Sequence, residues 1–324
     1  MNHRAKHEEQ VFWKTISENT YFMENINKKT DLKRLLIYLG LCFGMSWLWF
    51  FVVNPKFTHW NDLSRYMISF ISLGMLFPVI AHVLTRLITK EGFKMYGKDS
   101  AMFGISFKDR KWIYFLLAII LPWLITELGN LFAILFCRQL FDPGYPKAQD
   151  MDYRIFFLQP LSAIFTGVIG SFAAFGEEGG WRAYMMPKLL KLFGGKKALP
   201  LIIGGIIWGL WHAPLTCIGH NFGTDYPGFP FLGILMMCAF CILMGVILTF
   251  MTEMSGSVWP AAIMHAVTNA YPSALIGFMN DTGVDPVKAL WVNWGGMMIA
   301  LIAVVIVCIF IWRKNKKNNI DEIS

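Results

Sequence analysis

Eight stretches of this 324-residue chain each run for about 20 residues with almost no charge, long enough to cross a hydrocarbon core about 30 Å thick. In hydrocarbon no water satisfies backbone N–H and C=O groups, so such a segment has to be a helix. The stretches are Leu35–Val53, Tyr66–Leu87, Trp112–Cys137, Ile155–Phe175 (extended toward Met185 if the helix continues), Ala198–Ile218, Phe229–Phe250, Val258–Phe278 and Trp291–Trp312. The expected fold is therefore all-α, a polytopic membrane bundle of about eight helices. Composition agrees, because 15% charged residues leave too little polar surface for a water-soluble globule, which carries about 25%.

Three regions follow: an N-terminal segment 1–34, a membrane domain 35–312, and a tail 313–324 with Arg313, Lys314, Lys316 and Lys317. No apolar run precedes residue 35, so the first hydrophobic segment is expected to stay as an anchor rather than be cleaved. Of the 29 Lys and Arg, 23 fall in residues 1–34, the tail, the connectors after the second and fourth spans and, as Arg86, the adjoining end of the second span. Cytoplasmic connectors retain such residues, so both termini are expected in the cytoplasm and the protein in the cell membrane. The net charge of +8 is spread among the connectors instead of forming one patch, which argues against a nucleic-acid partner. The lipid bilayer is the expected surrounding. Cys238 and Cys241 form a CxxC inside a span, without a second pair or a nearby His, and read as small apolar residues rather than as a redox or metal site.

An ionisable side chain at membrane depth costs a few kcal/mol even on lenient scales, so each one needs a partner or a task. Arg86 can snorkel from the end of its span, and His82 reads as an interhelical hydrogen-bonding residue. Glu127, with Asn130 near it, reads first as an interhelical hydrogen bond and second as part of a proton path. The others occur in helical pairs. Glu178 and Arg182 are i,i+4 and can pair, which leaves Glu177 about 100° around the helix and free to face a cavity. His265 and Asn269 share the spacing, as do Trp208 and His212. One spare carboxylate, two imidazoles and an amide resemble a hydrolytic site, where a carboxylate takes a proton from water and donors face the oxyanion.

EEGGWR (Glu177 to Arg182) fits an EExxxR motif, WGLWH (Trp208 to His212) an aromatic-xxx-His motif, and HAVTN (His265 to Asn269) an HxxxN motif, in that order. On these three motifs the chain resembles the CAAX protease and bacteriocin-processing (CPBP, or Abi) family of intramembrane endopeptidases, over about residues 160–275. The resemblance implies hydrolysis of a peptide bond in a membrane-associated peptide or protein tail. It implies that Glu177 activates water with His212, that His265 and Asn269 bind the oxyanion, and that Glu178 and Arg182 support the site. Trp208 stands where Phe is frequent. Glu177, His212 and His265 could ligate zinc with one open position, but HExxH is absent and a metal-free mechanism fits the same residues.

Two other readings stay open at this point. One is a non-proteolytic immunity or scaffold protein that keeps the motifs for packing; the other is a proton-coupled transporter using Glu127 and Glu177, for which no inverted repeat is visible. A rise of about 1.5 Å per residue puts His265 about 10 Å and His212 about 21 Å from the expected inner edge, a gap that helix tilt or a later start of the fifth span has to absorb.

Overall fold

The computed structural model describes residues 27–53, 73–95, 97, 99–145 and 153–321, with side chains in the last of these ranges described from 158 to 314. Residues 1–26 of the N-terminal segment, the first turns expected of the second span (66–72), and the side chains of Lys316 and Lys317 lie outside it.

The described residues form α1 (27–48, closed by a π turn at Trp49–Val53), α2 (Phe77–Ile88), α3 (Trp112–Phe136) and α4 (Tyr153–Gly180). A π turn at Trp181–Met185 leads into α5 (Met186–Leu192), followed by α6 (Ala198–Trp211), α7 (Phe231–Ser255), α8 (Trp259–Asn269) and α9 (Pro286–Asp321). The fold is all-α. Among the described residues the β contacts reduce to one isolated bridge, Phe141 to Met279.

Polarity is turned inside out relative to a soluble protein. Phe165, Phe172, Phe231, Leu235 and Phe310 are 65–74% exposed, whereas His82 and Glu178 are fully buried. Five helical segments (Asn27–Phe51, Trp112–Phe136, Leu158–Leu192, Phe231–Ser255 and Pro286–Lys314) are long and apolar enough to cross a membrane. An apolar exterior around buried charge is the arrangement of an integral membrane protein.

Two expected spans end early, and prolines account for both. The fifth was drawn as Ala198–Ile218, but α6 stops at Trp211 and only a one-turn helix, Ala213–Thr216, follows. Pro214 has no N–H and its ring clashes with the carbonyl four residues back, so the helix cannot run through. The seventh was drawn as Val258–Phe278, but α8 stops at Asn269; Tyr271, just before Pro272, has φ +51°, and a 3₁₀ turn at Leu275–Phe278 completes the segment. At about 1.5 Å per residue α6 is about 21 Å long and α8 about 16 Å, both short of a bilayer core. An apolar run continues past each proline, which is why the sequence alone extends them.

The helices that carry the motifs are pressed together. α8 packs chiefly on α4 and α6 on α7. At the second contact a Cβ on Gly205 would come within 2.4 Å of the Ile242 backbone, and one on Gly209 within 2.5 Å of the Cys238 backbone. Only hydrogen fits at these two positions, so α6 lies backbone to backbone on α7. In the CxxC both thiols are free and buried, with Cys238 Sγ 3.8 Å from the Ile206 carbonyl.

One end of the bundle is tied by charge. Lys188 contacts Asp31 at 2.9 Å and Glu91 at 2.6 Å, Lys191 pairs with Asp99, Lys197 pairs with Glu253, and the Lys197 ammonium lies 4.5 Å from the Trp312 ring centre. These contacts bring to a common end the start of α1, the connectors after α2 and α5, the end of α7 and the end of α9. They are the segments that the sequence grouped on one side of the membrane.

Candidate functional site

α4 delivers Glu177 and Glu178 three and two residues before its end, and the π turn carries Arg182. A π turn advances the chain by a different angle from an α turn and occurs often at functional sites. The Gly179 carbonyl, just before it, accepts a hydrogen bond of 2.6 Å from His82 Nδ1, while His82 Nε2 accepts one of 2.6 Å from Arg86 Nε. His82 therefore holds the neutral Nδ1–H tautomer. Arg86 does not snorkel; its other donors reach the carbonyls of Gly92, Asp99 and Ser100 at 2.8–3.2 Å.

The two neighbouring glutamates are treated differently. Glu178 is fully buried and shared: Arg182 Nη1 lies 3.1 Å from it, and His265 Nδ1 lies 2.7 Å from its Oε1. Glu177 is 3% exposed, and its Oε2 accepts a 2.7 Å hydrogen bond from the indole Nε1 of Trp208. The face of that indole carries the Arg182 guanidinium, 3.9 Å from the ring centre. The His265 ring stands edge-on to Trp208 at 5.5 Å between centroids, and the His212 ring lies 5.9 Å from it. His212 Nδ1 bonds the carbonyl oxygen of Trp208 at 2.9 Å.

Glu177, Glu178, Arg182 and His265 thus form one buried cluster around Trp208, and His212, 7% exposed, joins through that same residue. The difference in depth between the two histidines is bridged by the indole, and α6 starts at Ala198 as drawn, so a later start is not the reason. Asn269, the last residue of α8, is exposed and lies outside the buried cluster. Residue spacing puts Trp208 beside His212 but gives no hint of its bond to Glu177. Its signal was present in the second motif, where an N–H-bearing ring replaces a plain aromatic one, but the partner of that N–H is 31 positions away.

Hydrogen bonding also sets the proton positions of both imidazoles. A carboxylate can only accept, so His265 Nδ1 carries a proton. Its Nε2 is then an acceptor in the neutral ring and a donor in the imidazolium. His212 donates from Nδ1 to a carbonyl and is in the same state.

Zinc does not fit this geometry. It would need its ligands about 2.0–2.2 Å from one point. Among the described residues no three His, Cys, Asp or Glu side chains gather closely enough to hold an ion.

Glu127, the other intramembrane carboxylate, is occupied by structure. It accepts from the backbone N–H of Ala274 at 2.5 Å and of Leu275 at 3.2 Å, and from the Ser273 hydroxyl at 3.1 Å. Asn130 accepts from the Tyr271 hydroxyl and donates to Ser273, both at 2.7 Å. Together they pin the turn after α8, an anion at the start of the 3₁₀ segment. That use removes one of the two carriers required by a proton-coupled transporter.

No curated protein matches the chain. Residues 159–271, the stretch holding Glu177, Glu178, Arg182, Trp208, His212, His265 and Asn269, match the family model described as type II CAAX prenyl endopeptidase Rce1-like.

Proposed function

We propose that the protein is an intramembrane endopeptidase that hydrolyses a peptide bond in a membrane-associated peptide or protein tail. The observation that carries this reading is the environment of Glu177, a buried carboxylate whose described hydrogen-bond partner is a neutral N–H, next to a second carboxylate that takes both the guanidinium and an imidazole. A carboxylate without a direct ion pair is suited to accept a proton from water.

In this mechanism Glu177 removes a proton as the water oxygen bonds to the scissile carbonyl carbon. The carbonyl electron pair moves to oxygen, and His265, in its imidazolium form, donates from Nε2 to that oxyanion. The C–N bond then breaks, and the amine leaves with the proton held by Glu177. His212, with its Nδ1 proton on the Trp208 carbonyl, turns Nε2 toward the water as a second acceptor. Asn269, one turn beyond His265 at the open end of α8, meets the substrate backbone at the rim. A prenylated tail, the substrate class in the family's description, would reach such a site from the lipid side.

The test compares membrane peptides from cells carrying the wild-type protein with those from cells carrying Glu177→Ala, His212→Ala or His265→Ala. One fragment should disappear in all three variants while the protein still inserts and accumulates. Full activity of Glu177→Ala or His265→Ala would refute the reading, and rescue of a deletion phenotype by those variants would point to a non-proteolytic scaffold.

A further inference from the structure

Trp208 touches nearly every group assigned a role above, and it is assigned none itself. Its Nε1–H reaches Glu177 Oε2 at 2.7 Å, with both residues at most 3% exposed. An indole N–H can only donate and carries no charge, so the bond orients the carboxylate without neutralising it. Among the described residues Glu177 Oε1 takes no hydrogen bond, which leaves it for a proton in transit. The same ring covers the Arg182 guanidinium at 3.9 Å, while the Nη1 of that arginine is directed to Glu178. Two adjacent carboxylates compete for a single guanidinium here, and the indole lies against the guanidinium while bonding the loser.

We infer that Trp208 is a positioning residue: its N–H fixes one oxygen of Glu177 so that the other faces the attacking water, and its ring keeps Arg182 on Glu178. The inference rests on Glu177 acting as the base. A phenylalanine would keep a smaller aromatic face against Arg182 and lose the donor, which makes Trp208→Phe the discriminating variant.

The experiment uses the full-length protein in detergent or nanodiscs and has two readouts. The first is cleavage of an internally quenched peptide ending in a prenylated Cys-aliphatic-aliphatic-X sequence, or of the tail identified from the membrane peptides. Loss of a hydrogen bond to a charged group should lower kcat by about 10- to 100-fold in Trp208→Phe, with KM within about threefold and the melting temperature unchanged. A purely structural indole would move melting and leave kcat alone. The second readout needs no substrate: ultraviolet resonance Raman of the indole N–H, isolated for Trp208 by subtracting the Trp208→Phe spectrum. Glu177→Ala should shift that band toward a weaker hydrogen bond. Wild-type kcat in Trp208→Phe, or an unmoved band in Glu177→Ala, overturns the inference. The two failures are separable: cleavage by Glu177→Ala removes the base, whereas an inactive Glu177→Ala beside a fully active Trp208→Phe removes only the role of Trp208.

Discussion

Two buried charge clusters sit within three helical turns of each other on the same stretch of chain, and they differ in how the charges are settled. In the cluster around Glu91 every group has a counterpart: Lys188 bridges Asp31 and Glu91, Arg34 lies 3.4 Å from Glu91, and Tyr184 and Thr89 donate to it at 2.5 and 2.9 Å. Burial would raise the pKa of Glu91, but these hydrogen bonds, led by that of Lys188, outweigh burial and hold it at about 2. In the cluster around Glu177 the guanidinium goes to the neighbouring carboxylate, and Glu177 keeps a neutral donor. A charge that is fully compensated is committed to holding helices together. One left without a direct ion pair is costly for folding and is available for chemistry.

The sharpest test of this contrast is Glu177→Ala. It should lower turnover by at least about 1,000-fold, the range of a lost general base, while accumulation and melting stay at wild-type levels. A stability loss equal to that of a paired glutamate would erase the distinction. Glu178→Gln should do both kinds of damage, since it strips Arg182 and His265 of their shared acceptor; about 100-fold in activity and about 3 kcal/mol in unfolding free energy are expected.

Lys188→Met falls on the other side of the comparison. Leaving Asp31 and Glu91 without their shared ammonium should cost about 2 kcal/mol, read as lower melting, with activity per folded molecule within about threefold. The pH dependence has a definite sign. The pKa of Glu91 is depressed from 4.5 to about 2 on folding, so its contribution is complete above 4.5 and is lost as pH falls through about 2. Acid melting curves should flatten over that window in Glu91→Gln. The smallest effect belongs to Glu127→Gln, about 1 kcal/mol from weakened bonds to the 3₁₀ turn, with cleavage within about twofold. Abolished activity there would return Glu127 to the chemistry.

Much of the site could be read before any coordinates, because i,i+4 spacing is local: Glu178 with Arg182, Trp208 with His212, and His265 with Asn269 follow from the helical repeat. The ties that organise the pairs are not local. Glu178 to His265 spans 87 positions and Glu177 to Trp208 spans 31, and no periodicity encodes them. Helix length failed for a different reason. Pro214 and Pro272 each lie inside a mainly apolar run without Asp, Glu, Lys or Arg, so hydropathy continues where backbone geometry stops. Asn269 shares a turn with His265 yet is exposed, since a common helix face says nothing of where the covering neighbours end.

The α6–α7 seam has a mechanical consequence. With backbone lying on backbone at Gly205 and Gly209, there is no side chain to rotate out of the way. A single added methyl there has to push the whole of α6 outward, and the indole that grips Glu177 moves with it. Turnover can therefore be adjusted from outside the reacting groups, through a spacer one hydrogen atom thick.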